Sequence, residues 1–228
     1  FSINVSTIVK NSTPILYGDE VSPPVRFVQM TAALLGAQLK YHAIDLFQNQ
    51  NKTEFFSKIN PLQKVPALQV GEEVICDSHA IALYLCRSLG PQAAWDLYPN
   101  DLIIKSRIDQ ILFYESGSLF PFDNMIFSHY FAGKQTLDKE DIDKWHSLLD
   151  HLERQLNKYK WLAGDKISLC DICCVATVSS LQLLIPQHER HVKIEVWMDN
   201  FKKIPCFEIN SRGLQRLKSM VDVGKTSK

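Results

Sequence analysis

The hydrophobic positions of the first ninety residues fall into short runs of two kinds. Three stretches, "PILYG", "QLKYHAIDL" and "VPALQVGEEVIC", have the short apolar runs typical of strands, and Gly71 divides the last of them like a hairpin. Between and after them, "PPVRFVQMTAALL", "TEFFSKI" and "DSHAIALYLCRSL" have helical spacing. The predicted order, β-α-β-α-β-β-α, favours a small mixed sheet with helices on both faces.

This pattern ends at "GPQAAWDLYPND", residues 90–101, where glycine and proline indicate a linker. The rest of the chain has helical spacing, which predicts helices at about residues 102–129, 138–159, 168–184, 192–203 and 206–221. The sequence therefore predicts an α/β, thioredoxin-like N-terminal domain over residues 13–90, a linker over 91–101 and an all-α C-terminal domain over 102–228.

Size and charge exclude several classes of function. At 228 residues and 46% hydrophobic content the chain can bury a large core. Its 25 basic and 25 acidic residues cancel, and no Lys/Arg run is interleaved with aromatic residues, so we expect no nucleic-acid partner. The most apolar segment, residues 172–185, is too short to span a bilayer. The first residues lack a signal-peptide pattern and an initiator Met, so we expect a trimmed or tagged end and a cytoplasmic protein.

The cysteines do not predict a metal site or a disulfide framework. Cys170, Cys173 and Cys174 have helical spacing inside an apolar segment, where cysteine behaves as a small hydrophobic residue. No Cys or His pair has the spacing of zinc ligands. In the same segment Ser168 and Asp171 form the sequence pattern of a capping box, which gives Asp171 a structural role rather than a catalytic one.

Ser22 is the first candidate for chemistry. It directly precedes Pro23 and a helical pattern, so one interpretation is a helix N-cap and nothing more. The other interpretation uses the same position, because a hydroxyl and backbone N–H groups at a helix N-terminus can hold an anion. The turn alone does not decide between the two.

Four motifs resemble those of the cytosolic glutathione transferases and occur in the order expected for that family. They are "SPPVR" at residues 22–26, "NPLQKVP" at 60–66, "DSHAI" at 77–81 and "LAGDKISLCDI" at 162–172. The first is most similar to the insect epsilon and delta classes. The resemblance covers almost the whole chain. It implies the glutathione transferase fold, glutathione as co-substrate and a homodimer.

The resemblance also implies the glutathione site. The Val65–Pro66 bond would be cis, which exposes the backbone of Val65 so that glutathione can pair with it as a short added strand. Asp77 and Ser78 would bind the ammonium and carboxylate of the γ-glutamyl end. A rigid turn at Val65 and a simple helix cap at Asp77 are the alternatives. The implied glutathione-binding residues are Gln50, Gln63, Lys64, Val65, Pro66, Asp77, Ser78 and His79.

In the family, the catalytic residue at this turn stabilises the glutathione thiolate, and the resemblance assigns that role to Ser22. One hydrogen bond from a hydroxyl to a charged sulfur contributes about 1.5–3 kcal/mol. That is close to the ~2.7 kcal/mol needed to lower a thiol pKa by about two units. The turn has no cysteine, which argues against a disulfide exchanger.

The chain departs from the insect pattern at the glycyl end of glutathione. Gln50 and Gln63 stand where relatives often carry histidine, so glutathione affinity is the property we expect to differ, although Gln can still donate a hydrogen bond. Phe122 stands where a basic residue often lies, which makes the second-substrate side more apolar.

The second substrate would lie against a helix face and the thioredoxin-like domain. Helical spacing places Phe120, Asp123, Asn124, Phe127 and Ser128 on one face, and the resemblance adds Pro24 and Phe47. Asp123 is either an ordinary surface acid or an acceptor for a hydroxyl on a bulky apolar ligand. In the second interpretation the chain resembles the steroidogenic branch of the insect enzymes, which is involved in ecdysteroid production and has an acid in this part of the pocket. A general detoxifying epsilon-class transferase, a non-catalytic binder of apolar ligands and a protein that kept only the fold are the alternatives.

Overall fold

The structure is a computed structural model that describes residues 13–88 and 96–226. It divides into two compact units between residues 94 and 95. The first five residues of the predicted linker lie outside the described residues, and its remaining residues, 96–101, are not helical. The domain limits therefore stay a prediction.

The first unit contains the predicted order of elements. Its strands and helices are β1 (Ile15–Gly18), α1 (Pro23–Leu35), β2 (Lys40–Ala43), a 3₁₀ turn (Gln50–Lys52), α2 (Glu54–Ile59), β3 (Ala67–Val70), β4 (Glu73–Cys76) and α3 (Ser78–Ser88). The sheet order is β2-β1-β3-β4, with β1 and β2 parallel and the other pairs antiparallel. Gly71 has φ +63° in the β3–β4 hairpin, as the turn requires. The mixed, thioredoxin-like sheet is confirmed.

Alternation along β1 sends neighbouring side chains to opposite faces of the sheet. Tyr17 packs with Ile44, Phe56 of α2 and Ala67 in one cluster. Leu16, next to Tyr17, is also buried, and it faces the opposite side because strand side chains alternate. α1 and α3 pack against each other. The predicted strand over residues 38–46 is too long, since only Lys40–Ala43 pairs with β1.

The second unit is helical, as predicted. Its helices are α4 (Leu102–Tyr114), α5 (Phe120–Phe131), α6 (Lys139–Leu156), α7 (Leu169–Leu181), α8 (Val192–Lys202) and α9 (Phe207–Thr226). Every residue of α7 is buried, and this helix packs against α4, α5 and α9. α7 is therefore the centre of the second unit. No helix in the described ranges is long and apolar enough to cross a membrane.

The prediction of one regular helix over residues 102–129 is wrong in its middle. A π turn, Glu115–Leu119, separates α4 from α5. Pro121 explains the break, because it has no N–H and its ring would crowd the carbonyl of Gly117 in a regular α-helix. A π turn of this kind inserts an extra residue and is frequent at functional sites.

Asp171 has the structural role that its sequence context predicts. It completes the capping box with Ser168, and its carboxylate accepts from the backbone N–H groups of Ser168 and Leu162, both at 2.9 Å. It also accepts from the Ser168 hydroxyl at 2.8 Å and from the indole N–H of Trp197 at 3.0 Å. Burial raises the pKa of Asp171 to about 6, although these four donors act in the opposite direction.

Candidate functional site

Ser22 is the N-cap residue of α1, but its hydroxyl makes no capping hydrogen bond. An N-cap hydroxyl normally accepts from the N–H of the second or third helical residue. The second is Pro24, which has no N–H, and the third, Val25, already donates to the Ser22 carbonyl at 3.1 Å. The half-buried Ser22 hydroxyl is therefore available for another partner.

The two prolines also change the expected anion site. The expectation that backbone N–H groups beside Ser22 help to hold an anion is wrong for the first two helical positions, because Pro23 and Pro24 have none. The direct donor at this helix end is the Ser22 hydroxyl itself. The dipole of α1 still favours an anion at this end of the helix, but it contributes less than a direct hydrogen bond.

The turn before Ser22 is held by a buried cation. Arg26 is fully buried, and its Nη1 donates to the carbonyl oxygens of Glu20 at 2.8 Å and Val21 at 2.9 Å. The Ser22 N–H donates to the carbonyl of Asp19 at 3.0 Å. These bonds fix the backbone that carries the Ser22 hydroxyl.

The Val65–Pro66 bond is cis, as the resemblance implies. Within the described residues neither the N–H nor the C=O of Val65 is hydrogen-bonded. The preceding loop is held by Asn60, whose side chain donates to the carbonyl of Lys64 at 2.6 Å and accepts from the N–H of Leu62 at 3.0 Å. A rigid loop thus presents one backbone edge at Val65.

Asp77 caps α3, so that part of the cap interpretation is confirmed. Its Oδ1 accepts from the N–H groups of His79 at 2.9 Å and Ala80 at 3.1 Å. Asp77 also has φ +83°, which is unusual for a residue other than glycine and is common at binding sites. Ser78 is buried, with its hydroxyl 3.4 Å from Nδ1 of His79, whose ring contacts Phe27 edge-on. A ligand role for these residues stays a prediction.

The residues expected at the glycyl end have less freedom than the sequence indicates. Gln50 Oε1 accepts from the N–H of Asp45 at 2.8 Å, which orients the amide, whose N–H groups are the part of the side chain that can donate to a carboxylate. Gln63 has φ +54°, and its carbonyl accepts from the side chain of Asn51 at 2.9 Å. Lys64 is exposed beside it.

The residues of α5 that are expected to bind the second substrate are only partly buried. Asp123 and Phe127 are buried, Phe120 is half-buried, and Asn124 and Ser128 are exposed. Asp123 is 2% exposed, so the interpretation as an ordinary surface acid is wrong. The Ser128 hydroxyl donates to the Asn124 carbonyl at 2.6 Å, a bond within the helix.

The other apolar candidates lie where their elements place them. Pro24 on α1 and Phe47 on the loop after β2 are half-buried residues of the first unit. In the second unit Phe122 is stacked on Trp145 of α6, with ring centroids 6.1 Å apart. This contact uses one face of the ring that the sequence suggested for the substrate side.

Glu115 is a second buried acid that sequence reasoning missed. It lies in the π turn at 2% exposure and accepts from the hydroxyl of Thr177 on α7. Burial, then the charge of Glu115, raises the pKa of the Cys173 thiol, so this cysteine is kept as an unreactive thiol. The signal in the sequence was an acid within the apolar stripe of Ile108, Leu112 and Leu119.

Comparisons with known proteins agree with both units. Residues 16–92 match the family model of the glutathione S-transferase N-terminal domain, and residues 119–205 match that of the C-terminal domain. The chain is 32% identical over 197 residues to Glutathione S-transferase 1 of Manduca sexta, covering 85% of this chain and 89% of that protein.

Solved structures of insect proteins are similar over most of their length. One is an epsilon-class glutathione S-transferase from the housefly Musca domestica, with a TM-score of 0.87 and 31% identity, covering 92% of this chain and 98% of that one. Another is a glutathione transferase homologue from Drosophila mojavensis, solved with bound glutathione. Its TM-score is 0.87 and its identity 31%, covering 93% of this chain and 97% of that one.

Proposed function

Because the chain belongs to the glutathione S-transferase family, whose members are transferase enzymes with glutathione as co-substrate, we propose that Ser22 activates the glutathione thiol. The Ser22 hydroxyl donates a hydrogen bond to the thiolate sulfur. The observation that carries this proposal is that this hydroxyl, at the N-terminus of α1, has no capping bond to make. A serine that served only as a cap would be expected to make the capping hydrogen bond that Ser22 lacks.

The reaction follows from a stabilised thiolate. The thiol proton leaves to solvent, and the sulfur lone pair forms a C–S bond to an electrophilic carbon. The displaced electron pair leaves with a leaving group, or enters a conjugated double bond that then takes up a proton. Ser22 holds the charged sulfur and forms no covalent bond itself.

Glutathione binds along the edge of the first unit in this proposal. Val65 pairs with its cysteinyl backbone, and Asp77 and Ser78 bind the γ-glutamyl end through Oδ2 and the hydroxyl, since Asp77 Oδ1 is used by the cap. Gln63, Lys64 and the amide of Gln50 bind the glycyl carboxylate. His79, whose Nδ1 lies 3.4 Å from the Ser78 hydroxyl, is included among the residues that bind the γ-glutamyl end.

The experiment is the ultraviolet thiolate absorbance of bound glutathione across pH, for the wild type and Ser22→Ala at saturating glutathione. We expect a bound pKa about two units below that of the free thiol, with at least one unit lost in Ser22→Ala. Ser22→Thr is the matched control, because it keeps the hydroxyl and should keep most of the shift. An unshifted bound thiol in the wild type would identify the chain as a non-catalytic binder instead.

For the second substrate we propose a hydroxylated, bulky apolar molecule such as a steroid, as in the Noppera-bo branch, with Phe120 and Phe127 of α5 as apolar contacts. The burial of Asp123 supports an acceptor role, since a buried carboxylate strongly favours a hydroxyl partner. The test compares the affinities of a hydroxylated steroid and its deoxy counterpart for the wild type and Asp123→Ala. Equal affinities in the wild type would favour a general detoxifying transferase.

We also propose a cytoplasmic homodimer. α4 supports this assembly, because Leu102 and Phe113 are 77% and 76% exposed, which is unusual for large apolar side chains on one helix. Sedimentation of the full chain should give twice the monomer mass, and Phe113→Glu should shift it towards the monomer. A monomeric wild type at micromolar concentration would contradict the proposal.

A further inference from the structure

A buried carboxylate lies at the end of β1, between two loops of the candidate site. Asp19 is 1% exposed. Its Oδ1 accepts from the N–H of Val21 at 3.3 Å, and its backbone carbonyl accepts from the N–H of Ser22 at 3.0 Å. The residue therefore shapes the turn that carries the Ser22 hydroxyl.

The other oxygen of the same carboxylate accepts a hydrogen bond from a different loop. Asp19 Oδ2 accepts from the N–H of Leu46 at 3.0 Å. Leu46 lies in the segment between β2 and the 3₁₀ turn, next to Phe47, and Gln50 is the first residue of that turn. One carboxylate thus bonds to the backbone of two loops, at Val21 and Leu46, which are 25 positions apart in the sequence.

The second loop also has internal hydrogen bonds, and the bond from Leu46 to Asp19 joins it to the Ser22 turn. Asp45 Oδ1 accepts from the N–H groups of Phe47 at 2.9 Å and Gln48 at 3.1 Å, and the Asp45 N–H donates to Gln50 Oε1 at 2.8 Å. These bonds shape the loop locally. They do not reach the Ser22 turn, whereas Asp19 does.

We propose that Asp19 is a positioning residue that sets the turn of Ser22 and the loop of Phe47 and Gln50 in one fixed arrangement. This inference rests on the proposed function, in which Ser22 binds the thiolate and Gln50 the glycyl carboxylate of one tripeptide. Ionised carboxylate acceptors form strong hydrogen bonds to backbone N–H groups. A small misplacement of either loop would separate groups that must meet the same ligand.

The test compares Asp19→Asn with Asp45→Asn, using Glu72→Gln in the exposed β3–β4 hairpin as the control for charge alone. Asparagine offers one acceptor oxygen where aspartate offers two, so Asp19→Asn must lose the bond to Val21 or to Leu46. In Asp19→Asn we expect the thiol pKa of bound glutathione to rise by about one unit, and the affinity for S-methylglutathione to fall about tenfold. Asp45→Asn should lower the affinity and leave the thiol pKa unchanged.

Amide hydrogen exchange without ligand separates this inference from the proposed function. In Asp19→Asn the amide of Leu46 or Val21 should exchange at least tenfold faster, whereas in Glu72→Gln neither should change. If the wild type leaves the thiol unshifted, Ser22 is not the thiolate partner, but faster exchange and weaker S-methylglutathione binding still support the role of Asp19. Unchanged exchange, thiol pKa and affinity in Asp19→Asn would overturn it.

Discussion

Gly18 lies against Val25 so closely that a Cβ added to the glycine would be 2.7 Å from Val25 Cγ1. This contact joins the end of β1 to the first turn of α1, on either side of Ser22. The absence of a side chain at Gly18 therefore allows the close approach that places Ser22.

Gly18→Ala should push α1 away from β1 and destabilise the protein by about 1–3 kcal/mol, because the core offers no free volume there. Val25→Ala removes the obstructing methyl groups and should relieve much of this cost when combined with Gly18→Ala. Chemical unfolding of the two single variants and the double variant measures the coupling. Additive effects would show that the contact does not govern the position of α1.

Asp171 accepts four hydrogen bonds at the N-terminus of α7, and we expect its replacement to be among the most destabilising in the chain. In Asp171→Asn the amide N–H₂ group faces N–H and O–H donors, so buried donors lose their acceptor at a cost of about 3 kcal/mol or more. Trp197→Phe removes one donor and leaves the other three, at about 1–2 kcal/mol.

Thermal and denaturant unfolding of both variants checks this order, with Asp165→Asn, an exposed acid in the same loop, as the control. Trp197→Phe keeps the comparison measurable if Asp171→Asn does not fold. A stability of Asp171→Asn equal to that of Asp165→Asn would contradict the structural role.

His146 makes the second unit sensitive to acid. Burial lowers the pKa of His146, and the neighbouring His191, His188 and Arg190 lower it further, while Asp143 acts weakly in the opposite direction. The ring centroids of His188 and His191 lie 5.3 Å and 5.6 Å from that of His146. His191 and Arg190 in turn bind Asp150 on α6. A proton on His146 would therefore be buried beside further positive charge.

The direction in which stability changes with pH follows from the lowered pKa of His146. The unfolded chain takes up a proton on His146 as the pH falls through about 6.5, whereas the folded chain does so only at lower pH. The stability that a neutral His146 provides is thus full above this pH and is lost on acidification. We expect the wild type to lose more thermal stability between pH 7.5 and 5.5 than His146→Gln. Comparing the two cancels the contributions of other groups, so equal losses would contradict this assignment.

The order of elements followed from hydrophobic periodicity because β1, β3 and the helices are long or alternating enough to show it. β2 is shorter than predicted, since "QLKYHAIDL" has strand-like composition but only four of its residues pair with β1. The π turn could not be read from periodicity, because its cause is the missing N–H of Pro121 and the clash of its ring with the carbonyl four positions earlier.

The candidate site was predictable where a motif fixes local geometry, as for the cis bond at Val65 and the cap at Asp77. The contacts of Asp19 and Glu115 were not, because each depends on a partner distant in sequence, the N–H of Leu46 and the hydroxyl of Thr177. A single acid in an apolar run does not reveal which donor will meet it in the fold.

Gln63 combines a strained backbone with a proposed ligand contact, and the two can be separated by mutation. At φ +54° a residue with a side chain is less favourable than glycine, so Gln63→Gly should stabilise the protein by about 0.5–1 kcal/mol. The same change removes the amide proposed to bind the glycyl carboxylate. Affinity for glutathione should therefore fall by about threefold to tenfold while stability rises.

Asn49→Gly is the matched control, because Asn49 has φ +55° on the neighbouring loop and no proposed ligand contact. It should change stability in the same direction and leave glutathione affinity almost unchanged. Calorimetric titration with glutathione and thermal unfolding measure the two effects on the same samples. If Gln63→Gly kept full affinity, the glycyl carboxylate would have to be bound by Lys64 and Gln50 without it, and the substitution of glutamine for histidine at this position would have no consequence for binding.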